Sequence, residues 1–207
     1  MLEALDLAGH RGSTCLFSGL SFRVPPGTAL IVGGRNGTGK TTLLRMLAGL
    51  TAPAAGEVRW RGSGVGSFAP AMRNDVLFVG HAVAVKDELT AEENLASLVA
   101  LGGDVVTREA IRRALDDVAL GAQRGLPARV LSAGQRRRIG LARLQLLQRA
   151  LWLLDEPLTA LDAAGSELLA SLLKAHVERG GVAVAATHQP IGLAASVTQT
   201  LTLGDAD

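Results

Sequence analysis

Short apolar runs recur along the chain, each bounded by turn-forming residues, and they predict β-strands. Their apolar character is continuous instead of alternating, which is typical of strands buried on both faces of a parallel sheet. Amphipathic helical patterns lie between them, one capped by Thr107 and carrying Ile111 and Leu115, and one over residues 168–173. Strands that alternate with helices predict an α/β domain with a mostly parallel sheet. The predicted strands are residues 29–32, 76–79, 151–154 and 182–186.

Residues 86 to about 125 depart from this alternation, because they are rich in helical patterns and hold no convincing strand. A further strand is predicted over residues 57–60, and the glycine-rich residues 62–66 after it predict a turn. A length of 207 residues suits one domain. We therefore expect a single α/β domain over residues 1–207, with a helical subdomain inserted at about residues 82–140.

Composition removes several classes of function. The net charge is +2, and this mild basic excess is far from the footprint of a nucleic-acid-binding protein. No apolar run approaches the roughly 18 residues of a spanning helix, and the acidic start of the chain does not resemble a signal peptide. One cysteine, Cys15, excludes an intrachain disulfide. We expect a protein that stays in the cytosol and meets membranes only through partners.

A phosphate-binding loop is predicted at residues 34–41, which fit G-x-x-x-x-G-K-[ST] between a predicted strand and a helical pattern. Glycines let backbone amides turn toward phosphate oxygens, and the helix N-terminus adds partial positive charge. Lys40 would neutralise the β- and γ-phosphates of ATP, and the Thr41 hydroxyl would ligate Mg²⁺. The candidate nucleotide-binding residues of the loop are Gly34, Arg35, Asn36, Gly37, Thr38, Gly39, Lys40, Thr41 and Thr42.

Two adjacent acids, Asp155 and Glu156, end the apolar strand at residues 151–154. The carboxyl ends of buried parallel strands are where open α/β sheets bind their ligands. We expect Asp155 to hold Mg²⁺ from its second coordination sphere and Glu156 to polarise the attacking water; the alternative is a surface loop that begins with acids. His188 follows another predicted strand, and we expect it to contact the γ-phosphate, although a lone histidine is more often structural.

Residues 131–135, LSAGQ, precede a helical pattern and form a second candidate anion-binding turn. Ser132 and the Gly134 amide suit γ-phosphate oxygens. One nucleotide does not need two such cradles from the same subunit, so the second is expected to serve ATP held by a partner copy. Taken in isolation, the same residues are explained by an ordinary helix N-cap at Ser132.

The order of these motifs resembles the ABC ATPase family, with Walker A at residues 34–41, the signature LSAGQ at 131–135 and Walker B at 151–156. Residues 160–162 match the D-loop, and His188 matches the switch histidine. The resemblance implies a head-to-tail homodimer with two ATP molecules between Walker A of one subunit and LSAGQ of the other. Residues 136–138, an arginine triplet, are then interpreted as the exposed side of the signature helix. A P-loop kinase or GTPase is excluded by LSAGQ.

Within that family, Gly80 and His81 stand where most members carry glutamine, and His81 is counted among the candidate metal ligands. With residues 16–22 and 187–190, the pair resembles the ATP-binding subunits of the haem exporters of cytochrome c maturation in Gram-negative bacteria. That resemblance implies integral membrane partner subunits, a peripheral position on the cytoplasmic face of the inner membrane, and ATP hydrolysis coupled to haem transport.

Adenine recognition departs from the family pattern, because the chain has no tyrosine and Arg11 stands where many members place an aromatic residue. We expect the Arg11 guanidinium to stack on the base; the alternative is a solvated loop arginine. The competing functions are a motor for an ion, lipid or lipoprotein transporter, and an ABC ATPase acting on ribosomes or DNA. The latter is less favoured, because the chain has neither a fused second cassette nor a long coiled coil.

Overall fold

A computed structural model describes residues 1–66, Met72 and residues 74–204. The chain divides into two compact units. The first consists of Met1–Phe78, Arg149–Pro157 and Leu173–Asp207, and the second of Val79–Gln148 and Leu158–Leu172. None of the helices in the described part of the chain has the length and apolar character needed to cross a bilayer.

An antiparallel sheet in the first unit has the strand order β2-β1-β4-β5. Only β4 was predicted, and the predicted turn after it carries the short strand β5. Register shifts in β1 at residues 4–10, with Asp6 at φ 55°, disturb the alternation that would have revealed β1 in the sequence. The strands are β1 Leu2–Arg11, β2 Thr14–Val24, β4 Ala55–Trp60 and β5 Ser63–Gly64.

A second sheet has the order β6-β7-β8-β3-β9, with the pairs β7–β8, β8–β3 and β3–β9 parallel. The predicted strands of this sheet are confirmed, and β7 and β8 are buried at every position. The polar edge strand β9 was not predicted, because its sequence TQTLT lacks an apolar run. The strands are β3 Thr28–Gly33, β6 Val76–Val79, β7 Leu151–Asp155, β8 Val182–Ala186 and β9 Thr198–Thr202.

One hydrophobic core joins both sheets of the first unit to helix α1 (Lys40–Leu47). Leu7 of β1, Leu44 of α1, Leu153 of β7 and Val184 of β8 all belong to it, and each is fully or almost fully buried. Burial of this kind contributes roughly 1.5–3 kcal/mol per large apolar side chain. The core therefore holds the start of α1 and the carboxyl ends of β3, β7 and β8 in fixed places.

The second unit is helical, and its helices begin at side-chain caps. The Thr90 hydroxyl accepts a hydrogen bond from the Glu93 amide at the start of α2, and the Thr107 hydroxyl accepts one from the Ala110 amide at the start of α3. The cap predicted at Thr107 and the helix-rich character of residues 86–125 are confirmed. The helices are α2 Ala91–Leu101, α3 Arg108–Asp117, α4 Ala133–Leu146 and the first part of α5 Ala163–Glu178.

Candidate functional site

The phosphate-binding loop of the first unit joins β3 to α1. Gly39 caps α1 with a left-handed backbone at φ 100°. A Cβ atom there would lie 3.0 Å from Leu16 Cβ and 3.1 Å from the Phe17 ring, so glycine meets both a conformational and a steric requirement. Leu16 and Phe17 form the floor of this loop, and no sequence motif indicated that role.

Lys40 lies across the inside of the loop with only 7% of its surface exposed. Its Nζ atom donates hydrogen bonds to the Gly34 oxygen at 2.8 Å and the Arg35 oxygen at 3.1 Å. The ammonium group is thus held at the first turn of α1, where backbone amides and the helix dipole already favour an anion. The geometry and the charge of this loop are thus suited to holding phosphate, and we call the loop the phosphate cradle.

Thr41 and Asp155 bring oxygen atoms from α1 and the end of β7 together. The Thr41 hydroxyl lies 2.9 Å from Asp155 Oδ2 and 3.1 Å from Asp155 Oδ1. Asp155 is 2% exposed, so its carboxyl group is shielded from solvent. Hydroxyl and carboxylate oxygens are the ligands that Mg²⁺ prefers, and the pair therefore fits a magnesium site.

Glu156 and His188 meet Lys40 and Asn36 beside the cradle. His188 Nε2 lies 2.8 Å from Asn36 Oδ1, 3.0 Å from Lys40 Nζ and 3.2 Å from Glu156 Oε1. The Nε2 atom cannot satisfy all three groups at once, because it either donates a hydrogen bond to one of the two oxygens or accepts one from Lys40. Glu156 also has a left-handed backbone at φ 47°, a costly conformation that clusters at functional sites. These four side chains form a polar cluster whose hydrogen bonds can change when a ligand binds.

The structure thus brings most of the predicted site residues of the first unit together, across up to 152 residues of sequence. Arg11 lies exposed at the end of β1, paired in register with Thr14. Its contact with adenine stays a prediction. Sequence reasoning assigned Asn36 to phosphate binding and missed its contact with His188, for which no local pattern exists.

Ser132 caps helix α4 of the second unit. Its hydroxyl accepts a hydrogen bond from the Gln135 amide at 3.1 Å, and the Gln135 side chain accepts from the Ser132 amide at 2.8 Å. This capping box confirms the ordinary N-cap that the sequence allowed. The cap uses the hydroxyl oxygen as an acceptor, so its proton can still be donated to a phosphate oxygen.

Gly134 lies against the loop that precedes α5. A Cβ atom at Gly134 would be 2.7 Å from the Ala160 oxygen, and Ala160 itself has a left-handed backbone at φ 64°. A cavity of about 560 Å³ opens here, bordered by Ser132, Gly134, Arg138, Ala160 and Asp162 among others. The signature residues therefore border a space of ligand size.

The prediction that the arginine triplet is the exposed side of α4 is wrong for Arg137 and Arg138, whereas the Arg136 side chain is 34% exposed. Arg137 is 3% exposed, and its Nη1 atom donates to the oxygens of Gly80 and His81, each at 3.0 Å. Arg138 donates to Asp162 Oδ1 at 2.7 Å. A guanidinium can be buried when its donors find acceptors of this kind, which a charge pattern alone does not reveal.

The Asp162 carboxylate also accepts a hydrogen bond from the Gly165 amide at 2.9 Å. This bond and, second to it, the bond from Arg138 hold the pKa of Asp162 below its usual value. His81 is exposed and lies in the second unit, and its role as a metal ligand stays a prediction.

Comparison with known proteins gives consistent results. The model of the ABC transporter family matches residues 17–159. The chain is 48% identical to the cytochrome c biogenesis ATP-binding export protein CcmA of Pseudomonas aeruginosa over 204 residues, which cover 99% of this chain and 100% of that protein. It is 46% identical to the protein of the same description in Nitrosospira multiformis, over 98% of each chain.

Among solved structures, an ABC transporter ATP-binding protein of Pyrococcus furiosus is similar, with a TM-score of 0.82 and 25% identity over 97% of this chain and 96% of the other. A structure described as dimeric, of a bacterial ABC transporter cassette, has a TM-score of 0.83 and 24% identity over 99% and 95% of the two chains. The predicted fold class is confirmed by these neighbours.

Proposed function

We propose that this chain, a member of the ABC transporter family and within it of the cytochrome c biogenesis ATP-binding export proteins, hydrolyses ATP to drive a membrane transporter. One observation carries the proposal: Lys40, the Thr41–Asp155 pair and the Glu156–His188 pair lie together at one phosphate cradle. This set supplies a phosphate-binding cation, oxygen ligands for a divalent ion and a candidate general base.

In the proposed reaction, Lys40 exchanges the carbonyl oxygens of Gly34 and Arg35 for the β- and γ-phosphate oxygens of ATP. Thr41 and Asp155 would hold Mg²⁺, and the ion when bound would neutralise charge on the phosphates. Glu156 accepts a proton from the attacking water, and His188 contacts the γ-phosphate and orients Glu156. His81 is proposed as a further ligand of the metal, in the place of the usual glutamine.

We propose that the site is completed by a second copy of the chain. Ser132 and the Gly134 amide of that copy then donate to the γ-phosphate from the N-terminus of its α4. A dimeric similar structure and the capped but still donating Ser132 hydroxyl support this arrangement. The two units of each copy are proposed to act as one ATPase domain, with the helical subdomain inserted at about residues 82–140.

The transported cargo is proposed from the relatives, whose names describe export in cytochrome c biogenesis. The chain would serve as the peripheral subunit of a haem exporter at the cytoplasmic face of the inner membrane, bound to integral membrane subunits. We propose to purify a tagged chain from detergent-solubilised membranes and to identify the bound proteins by mass spectrometry. Small integral membrane proteins of haem export support the assignment, and subunits of an ion, lipid or lipoprotein transporter contradict it.

The ATPase assignment itself is tested with Glu156→Gln. Removal of a general base costs about 10²- to 10⁴-fold in rate, while Lys40 and Thr41 still bind the nucleotide. We expect the variant to bind ATP with Mg²⁺, to turn over slowly and to accumulate as an ATP-dependent dimer in size-exclusion chromatography.

The matched control is Glu167→Gln, the same chemical change at an exposed position of α5. It should hydrolyse ATP at the wild-type rate. Near-normal turnover by Glu156→Gln would contradict the role of Glu156.

A further inference from the structure

Arg137 of helix α4 is hydrogen-bonded to the loop that follows β6. Both protons of its Nη1 atom are used, one for the Gly80 oxygen and one for the His81 oxygen, at 3.0 Å each. Hydrogen bonds from a charged donor are roughly twice as strong as neutral ones, and at 3% exposure little water competes for them. The backbone of this loop at Gly80 and His81 is therefore held against helix α4.

The next residue of α4 holds a different loop. Arg138 donates to Asp162 Oδ1 at 2.7 Å and to the Val118 oxygen at 3.2 Å. Because Asp162 also accepts from the Gly165 amide, the start of α5 is included in this contact. Two adjacent arginines of one helix thus bind two different loops.

His81, whose backbone Arg137 holds, borders a cavity together with the start of α4 and part of the loop before α5. Its volume is about 440 Å³, and His81, Ala133, Thr159 and Ala160 are among its lining residues. Ala133 is the first residue of α4, directly after Ser132, and the Ala160 oxygen is the atom that limits Gly134 to glycine. The His81 loop and the start of α4 thus face one cavity, and the bonds of Arg137 connect that loop to the helix that Ser132 caps.

We propose that Arg137 is a positioning residue that joins the loop of Gly80 and His81 to the signature residues, so that the two move as one body. The inference rests on the proposed function, because Ser132 and Gly134 matter there as contacts to the nucleotide of a second copy. Arg137 itself touches no nucleotide in this proposal. It transmits the position of the His81 loop to the N-terminus of α4.

The joint movement is tested without nucleotide, by amide hydrogen exchange of the wild type and Arg137→Gln. Loss of the two charged bonds should accelerate exchange about tenfold or more in residues 80–86 and also in residues 131–136. The control is Arg113→Gln, which removes an exposed arginine of α3 in the same unit. Faster exchange confined to residues 80–86 would overturn the proposal.

ATP turnover supplies the second readout, through a double-mutant cycle with His81→Ala. Arg137→Gln should lower kcat about tenfold and leave KM within about twofold, since the phosphate cradle is unchanged. The double variant should be no slower than the slower single variant, because both changes act through one loop. Additive losses in kcat would mean that Arg137 does not act through His81.

These outcomes separate the two proposals. If the wild type does not hydrolyse ATP, the proposed function fails, while hydrogen exchange still decides whether the loop and the signature residues move together. If Arg137→Gln does not fold, Arg137→Lys replaces it, since an ammonium group lacks the planar donors of the guanidinium. Amide exchange should then accelerate less, but still in both residues 80–86 and residues 131–136. Faster exchange in only one of these segments would again overturn the proposal.

Discussion

Replacing His176 by phenylalanine should reduce the loss of stability of this protein at acidic pH. His176 is 5% exposed, and its ring stacks on Trp152 with centroids 3.9 Å apart and planes 9° from parallel. Its Nε2 atom lies 3.1 Å from the Val182 oxygen. Burial, opposed by this contact and assisted by the charge of Arg179, lowers the pKa of His176 from 6.5 to about 4.

The sign of the pH effect follows from proton binding. Between pH 6.5 and about 4 the unfolded chain binds a proton at His176 and the folded chain does not, so the free energy of unfolding falls as the pH falls through this window. At about pH 4.5 the loss amounts to about 2.5 kcal/mol relative to neutral pH. Phenylalanine keeps a flat aromatic ring beside Trp152 but has no titrating nitrogen.

The assay is urea unfolding of both proteins at about pH 7.5 and about pH 4.5, followed by tryptophan fluorescence. Loss of the contact with Val182 should cost His176→Phe about 1 kcal/mol at either pH. Its loss of stability between the two pH values should be smaller than that of the wild type by about 2.5 kcal/mol. Because the other histidines are common to both proteins, parallel pH dependences would refute the burial argument.

Two further predictions concern the nucleotide. Arg11→Ala should weaken the binding of ATP and GTP about five- to thirtyfold, because stacking does not read base edges, and should leave the binding of tripolyphosphate unchanged. Arg11→Tyr should recover most of the lost affinity. Equal weakening of tripolyphosphate binding would exclude stacking. Gly134→Ala should lower kcat about tenfold or more, because the new Cβ atom would lie 2.7 Å from the Ala160 oxygen. Its affinity for ATP should stay within about twofold of the wild-type value. Wild-type turnover would mean that this close approach is dispensable.

The phosphate loop and the buried strands could be predicted because their determinants are local. The glycines and Lys40 are adjacent in sequence, and a run such as residues 151–154 is apolar at every position. The proximity of Thr41 to Asp155 followed indirectly, from the rule that carboxyl ends of parallel strands meet at one edge.

Other features depend on contacts that no local pattern encodes. The shifts of register in β1 interrupt its alternation, so the antiparallel sheet was missed. The burial of Arg137 depends on carbonyl groups 56 and 57 residues away, and a run of arginines looks the same whether it is solvated or buried. The cap at Ser132 was foreseen as an alternative to phosphate binding, and in the structure the capping bond uses the hydroxyl oxygen as an acceptor and not its proton.

Mixing two inactive variants tests whether ATP is hydrolysed at a site shared by two copies of the chain. Lys40→Ala destroys the cradle of its own chain, and Ser132→Arg destroys the signature contact that it offers to a partner. A mixed dimer keeps one intact site, made from the cradle of the Ser132→Arg chain and the signature residues of the Lys40→Ala chain.

In an equal mixture half of the dimers are mixed, so turnover should return to about a quarter of the wild-type rate, if the sites are independent. An unfolded variant could not restore activity, which makes recovery a control for folding. Recovery of ATP turnover on mixing is the predicted result. The shared site would be contradicted if the mixture were as inactive as its components. This conclusion requires that each variant is folded and that Ser132→Arg binds ATP like the wild type.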